Sequence, residues 1–161
     1  MKSLIECIML NESIGNKVQP KNSAELQKII KDSFKKGIYD LNFIDTSKIT
    51  EMGDLFRFDN IKHNFDVSDW DVSNVTDMSN MFYECEQFNC DLSKWDVSKV
   101  KDMRRMFFGC ESFEGKGLDK WKLSNHADIR YMFDGFDGKH AKIIGKVKLP
   151  KWAKERWYNF L

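Results

Sequence analysis

Trp70–Cys85 reads WDVSNVTDMSNMFYEC, and 25 residues later Trp95–Cys110 reads WDVSKVKDMRRMFFGC. The phrase returns in weaker form at Trp121, with Ile129, Met132 and Phe133 in the places of Met103, Met106 and Phe107. Stepping back from Trp70 finds Ile44, Met52, Leu55 and Phe56 in the same places. A unit of this size cannot bury its own apolar face and must stack on its neighbours to make a continuous core. Four units follow, at about 38–60, 61–87, 88–112 and 113–138.

Two apolar periods alternate within a unit. Positions 65, 67, 70 and 72 suit short extended segments with a corner near Asp69. Positions 75, 78, 81, 82, 85 and 88 suit a helical or 3₁₀ turn. The expected unit is strand, corner, short helical turn and return, with parallel strands side by side. Ser47, Ser73, Ser98 and Ser124 offer hydroxyls that can cap the turn that follows. Flanking the repeats, Asn22 or Ser23 can start a helix carrying Leu26, Ile29, Ile30 and Phe34 on one face, with Gly37 as its stop. Pro150 opens a second helical stretch with Trp152, Trp157, Phe160 and Leu161, read as a cap rather than a ligand platform. The expected organisation is an amphipathic peptide at 1–15, a capping helix within 16–37, repeats at 38–138 and a basic cap at 139–161.

The phrase FNCDLSKWDVSKVKDMRRMFFGCESF resembles the 26-residue repeat of BspA-type bacterial surface proteins, and LNFIDTSKITEMGDLF resembles that family's opening repeat. That repeat belongs to a domain of unknown function common in mycoplasma lipoproteins and found in gut bacteria and their phages. The resemblance spans about 38–138. It implies an α/β fold of the leucine-rich-repeat kind, a small solenoid of about four 25–26-residue repeats with helical caps. It also implies roles in adhesion or protein contact, and it brings no catalytic site. The chain departs from surface members in its few repeats and in the absence of a recognisable export signal.

Charge is unevenly spread: +3 over residues 1–37, −8 over 38–138 and +6 over 139–161, for a net +1. A near-neutral total gives no global attraction to nucleic acid, so no nucleic-acid partner is expected. The basic C-terminal stretch could meet an anionic partner or the acidic body. Glu6 splits the early apolar run and Glu precedes Cys7, so no secretory or lipoprotein signal is read. The expected location is cytoplasmic or virion-associated. No stretch reaches the roughly 18–20 apolar residues of a membrane span.

The chemistry is thin. Asp45, Asp71 and Asp96, and Glu51, Asp77, Asp102 and Asp128, form two acidic columns that could ligate calcium. Calcium asks for about 6–8 oxygens from a curved loop, however, and aspartate is also a turn residue. Cys85 and Cys110 share a repeat position and are read as buried thiols, with a disulfide between rungs as the alternative. No nucleophile elbow, P-loop, dinucleotide fingerprint or zinc-ligand spacing occurs, so neither an enzyme nor a cofactor is expected. The expected function is a non-catalytic scaffold that binds another protein through its repeat surface. Candidate contact residues are Asp66, Asp69, Asp71, Lys94, Asp96 and Lys120 around the tryptophans, and Lys99, Arg104 and Arg105, where the copies differ. The alternatives are a calcium-binding repeat protein and a phage or bacterial structural protein docked through residues 1–15.

Overall fold

A computed structural model describes residues 17–58 and 61–133. The N-terminal peptide and the basic C-terminal cap read from the sequence lie outside the described residues.

One α-helix forms, α1 at Ser23–Phe34, with a single 3₁₀ turn at Leu118–Lys120. Asn22 is the helix cap: its side chain accepts from the Glu25 amide at 2.9 Å. The Glu25 carboxylate reaches back to the Lys21 amide at 2.8 Å, tying the residue before the cap to the first turn. Leu26, Ile29 and Ile30 are buried, as their spacing predicts.

The remainder overturns the expected α/β leucine-rich-repeat-like solenoid with helical caps. Among the described residues there is no strand. The chain makes isolated parallel bridges: Val18 with Ile44, Asp40 with Asp66, and the series Glu51, Asp77, Asp102 and Asp128. The helical turns expected after each corner do not form either. The physical reason is a three-residue hydrogen-bond rhythm. Trp70, Val75, Met81, Cys85 and Phe88 donate their amides to the carbonyls of Val67, Val72, Met78, Phe82 and Cys85. Each such bond closes a turn, so the backbone never stays extended long enough to build a ladder. The apolar spacing of three that reads as a helical turn is the spacing of consecutive turns.

The turns are held in register across repeats. Met52, Asp54 and Phe56 donate to the carbonyls of Asp77, Ser79 and Met81; Met78, Asn80 and Phe82 donate to Asp102, Arg104 and Met106; Met103, Arg105 and Phe107 donate to Asp128, Arg130 and Met132. These bonds are 2.8–3.1 Å long and all run the same way, from one repeat's amide to the next repeat's carbonyl. The first repeat therefore has carbonyls with no preceding amide. Helix α1 covers them: Ser23 Oγ donates to the Glu51 carbonyl, and Gln27 Nε2 to those of Asp54 and Leu55 at 3.3 and 3.1 Å.

Side chains stack in the same columns. Phe56, Phe82, Phe107 and Phe133 are buried with ring centroids 5.3, 5.5 and 5.7 Å apart and planes within 17°. Phe65, Phe88 and Phe113 form a second column, meeting the first at 4.1–4.5 Å. Each buried ring contributes about 2–3 kcal/mol by leaving water, and each ring pair about 0.5–1.5 kcal/mol more. Met52, Met78 and Met103, then Met81, Met106 and Met132, fill the space between columns. The three repeat tryptophans do more than fill. Nε1 of Trp70, Trp95 and Trp121 donates to the carbonyls of Leu41, Val67 and Leu92 at 2.9, 3.1 and 3.0 Å. Each indole thus fastens its own repeat to the one before it.

Candidate interaction surface

Two outward corners recur in every repeat. The first flanks the tryptophan. Here the aspartates cap the backbone: Asp45, Asp71 and Asp96 accept from the amides of Ser47, Ser73 and Ser98, each at 3.0 Å. The same asparagine-like turn recurs at Asp66 with Ser68, and at Asp91 with Ser93, both at 2.8 Å. The capping oxygen therefore belongs to the carboxylate and not to the serine hydroxyl read from the sequence. Only in the last repeat, where Lys122 replaces the aspartate, does a serine cap: Ser124 Oγ accepts from the His126 amide at 3.3 Å.

These bonds account for the carboxylates' acidity. The Ser47 hydroxyl's bond holds the Asp45 carboxyl below its ordinary range against the upward pull of burial, and Ser98 does the same for Asp96. For Asp66, burial is the largest influence and pulls upward, yet the bonds from Ser68, Asn42 and Cys90 outweigh it together. These carboxylates are thus occupied by turn bonds. Among the described residues, no group of three or more His, Cys, Asp or Glu is placed to hold a metal ion.

Of the candidate contact residues at this corner, Asp66, Asp71 and Asp96 are committed to turns. Lys94 pairs with Asp69 in the preceding rung. Lys99 Nζ donates to Asn74 Oδ1 at 2.8 Å. Lys120 lies close enough to Asp91 to help lower that carboxyl, after the Ser93 bonds and against burial. The corner is a lattice of internal pairings.

The second corner is the turn after each aspartate of the Glu51–Asp128 series, and it holds Arg104 and Arg105. Asp54, Asn80, Arg105 and Tyr131 share one repeat position and all have left-handed backbone, with φ of 53°, 53°, 53° and 58°. That conformation costs a non-glycine residue roughly 1–2 kcal/mol, and here it turns the side chain of each rung outward. The Arg105 guanidinium lies 5.4 Å from the Tyr131 ring centroid. Arg104 pairs with Asp102 and, at 3.7 Å, with Asp128; Arg130 pairs with Asp128 at 2.6 Å. Arg104, Arg105, Arg130 and Tyr131, with Ser79 and Asn80, line a hollow of about 220 Å³. Three residues further along, Arg57 sits 4.7 Å over Tyr83, whose ring stacks on Phe108 at 4.8 Å with planes 2° apart. Tyr131 is 54% exposed, the exposed large hydrophobic among the described residues. The sequence pointed to Arg104 and Arg105 by the difference between copies. It did not point to Arg57, or to the aromatics Tyr83, Phe108 and Tyr131, which the turns leave half-buried or exposed.

Cys85, Cys90 and Cys110 are buried free thiols. Burial pushes Cys85 and Cys90 up to about 12 and Cys110 well above its ordinary value. Cys110 Sγ donates to the Phe82 carbonyl at 3.0 Å, a packing role without nucleophilic character. Among the described residues, no helix is long and apolar enough to cross a membrane.

No curated protein and no solved structure matches the chain. A family model described as "Mycoplasma protein of unknown function, DUF285" matches residues 24–145, which takes in helix α1 and all four repeats, and the chain belongs to that family.

Proposed function

We propose that the protein is a non-catalytic scaffold that binds another protein through the arginine–tyrosine corner of its repeats. The observation that carries this reading is the contrast between columns. Inward positions repeat the same apolar residues, whereas the left-handed corner changes from Asp54 to Asn80 to Arg105 to Tyr131. Arginine and tyrosine are, with tryptophan, the residues enriched where binding energy concentrates. The likeness of the repeat phrase to BspA-type surface proteins, which act in adhesion and protein contact, supports the same reading.

The test compares three chains in crosslinked pull-downs from the native source: wild type, Arg105→Glu with Tyr131→Ser, and charge reversal at Asp69, Lys94, Asp96 and Lys120. A partner held by the wild type and lost by the first variant, at unchanged melting temperature, supports the proposal. Loss by the second variant alone moves the contact to the tryptophan corner. Retention by both shows that neither corner is the binding surface.

A further inference from the structure

We infer a second, separate site: a lysine-rimmed aromatic pocket, between the end of helix α1 and residues 61–63, that takes a small aromatic carboxylate. It does not depend on the protein-binding corner. Phe34, Tyr39, Phe58 and Ile61 are only partly buried and pack on the core from outside, and they line a cavity of about 390 Å³. That volume falls within the range of small-ligand pockets, about 300–1,000 Å³.

The floor is aromatic on several sides. Phe34 lies 5.6 Å from Tyr39, 6.2 Å from Phe58 and 5.4 Å from the buried Phe65. Tyr39 lies 4.7 Å from the His63 ring. A planar ring entering here would meet neighbours at the tilted or offset spacings that aromatic pairs favour, about 4.5–7 Å. It would also cover apolar surface that the fold leaves wet.

The rim selects charge. Among the described residues, the cavity is lined by three lysines, Lys31, Lys35 and Lys62, and by no carboxylate. Lys31 Nζ stands 4.8 Å from the Phe58 ring centroid, held over the floor. Asp32 offsets part of this charge, pairing with Lys35 at 3.9 Å across an exposed contact. The carbonyl end of α1, which would repel an anion, is largely occupied: the carbonyls of Lys31, Ser33 and Phe34 accept from the amides of Lys35, Lys36, Gly37 and Ile38. Residues 38–138 carry a charge of −8, so an anion is repelled by most of the body and drawn to this spot. Apolar floor and cationic rim together specify a ring bearing a carboxylate. A neutral ring leaves the lysines unused, and an alkyl acid leaves the aromatic faces unused.

The experiment titrates the full chain with 1-naphthoate, 1-naphthylmethylammonium and acetate, followed by calorimetry and by the NMR signals of Phe34, Tyr39 and His63. The expected result is saturable naphthoate binding that shifts those signals, weakens as salt rises, and is at least about tenfold tighter than binding of either other probe. Lys35→Glu with Lys62→Glu should weaken it by a further factor of about ten. The milder Lys35→Gln with Lys62→Gln should give an intermediate loss, a check that stands if the double reversal perturbs folding. Equal binding of the ammonium probe, signal shifts away from these residues, or no naphthoate binding at about millimolar concentration overturns the assignment.

Discussion

Tryptophan at 70, 95 and 121 is the residue on which each repeat turns. Its ring fills the core while its N–H satisfies a carbonyl of the preceding repeat, a pairing that no other large apolar side chain supplies. Trp95→Phe keeps most of the apolar area but removes the indole's bond to the Val67 carbonyl, which keeps only the Trp70 amide as donor. It should cost about 0.5–1.5 kcal/mol, read as a lower denaturation midpoint at unchanged slope. Gly117 is the opposite case, a residue needed for what it lacks. Its φ is 88°, and a Cβ there would sit 2.2 Å from the Ser93 amide nitrogen. Gly117→Ala should therefore destabilise by more than the roughly 1–3 kcal/mol of backbone strain alone, since the backbone at Ser93 must also move. Thermal melting monitored by tryptophan fluorescence checks both variants. The sequence made the buried tryptophan legible but not its indole bond, because a repeat period shows which residues align and not which atoms meet.

At the scale of the element, the turn has replaced the strand. Helix α1 was readable from Asn22, the apolar face and Gly37, all local signals. The strands were not there to be read. An alternation over four or five positions is equally compatible with a β segment and with turns closed every three residues, and the Asp-x-Ser side-chain bonds decide for turns. Those bonds make the elements sensitive to acid. Asp45, Asp91, Asp96 and Asp128 are each held below the ordinary carboxylate range, by Ser47, Ser93, Ser98 and Arg130 respectively, against some opposing burial. A carboxyl with a lowered value in the folded state adds stability above its unfolded value, near 4, and loses it as pH falls through the folded value. The melting temperature should thus hold steady from pH 7 to about 5 and drop below about 4. Asn at 45, 96 and 128 keeps the acceptor oxygen for the backbone amide without a titrating proton. That triple variant should show a flatter acid limb, and an unchanged limb would assign acid sensitivity to other groups.

On the scale of the whole molecule, the repeat is a length rule. The tryptophan, methionine and inner phenylalanine columns advance by 25 or 26 residues, so removing residues 78–102 and joining Asp77 to Met103 leaves their surviving members in register. Because contacts are between neighbours, the shortened chain should still melt in one cooperative transition, at a lower temperature. Removing about half that length should abolish the transition, since it sets apolar columns against polar ones. Circular dichroism melts of the two deletions distinguish these outcomes. The repeat array and the buried columns were legible in the sequence because they depend on spacing alone. The exposed arginine–tyrosine corner and the lysine-rimmed pocket were not, because they depend on which side of a left-handed turn a residue emerges and on how a helix end meets a distant loop.

Helix α1 has a further consequence. Every rung offers its neighbour the same pattern of amides and carbonyls, so a rung of another copy could satisfy it as well as the chain's own. Ser23 and Gln27 occupy the carbonyls of Glu51, Asp54 and Leu55 before any foreign amide can. In the language of polymers, α1 is a chain terminator: a protein built by a rule of head-to-tail addition carries its own stop at the acceptor end. A chain lacking residues 1–37 should scatter light in proportion to its concentration while the full chain does not, and equal scattering would mean that something other than α1 holds that edge closed.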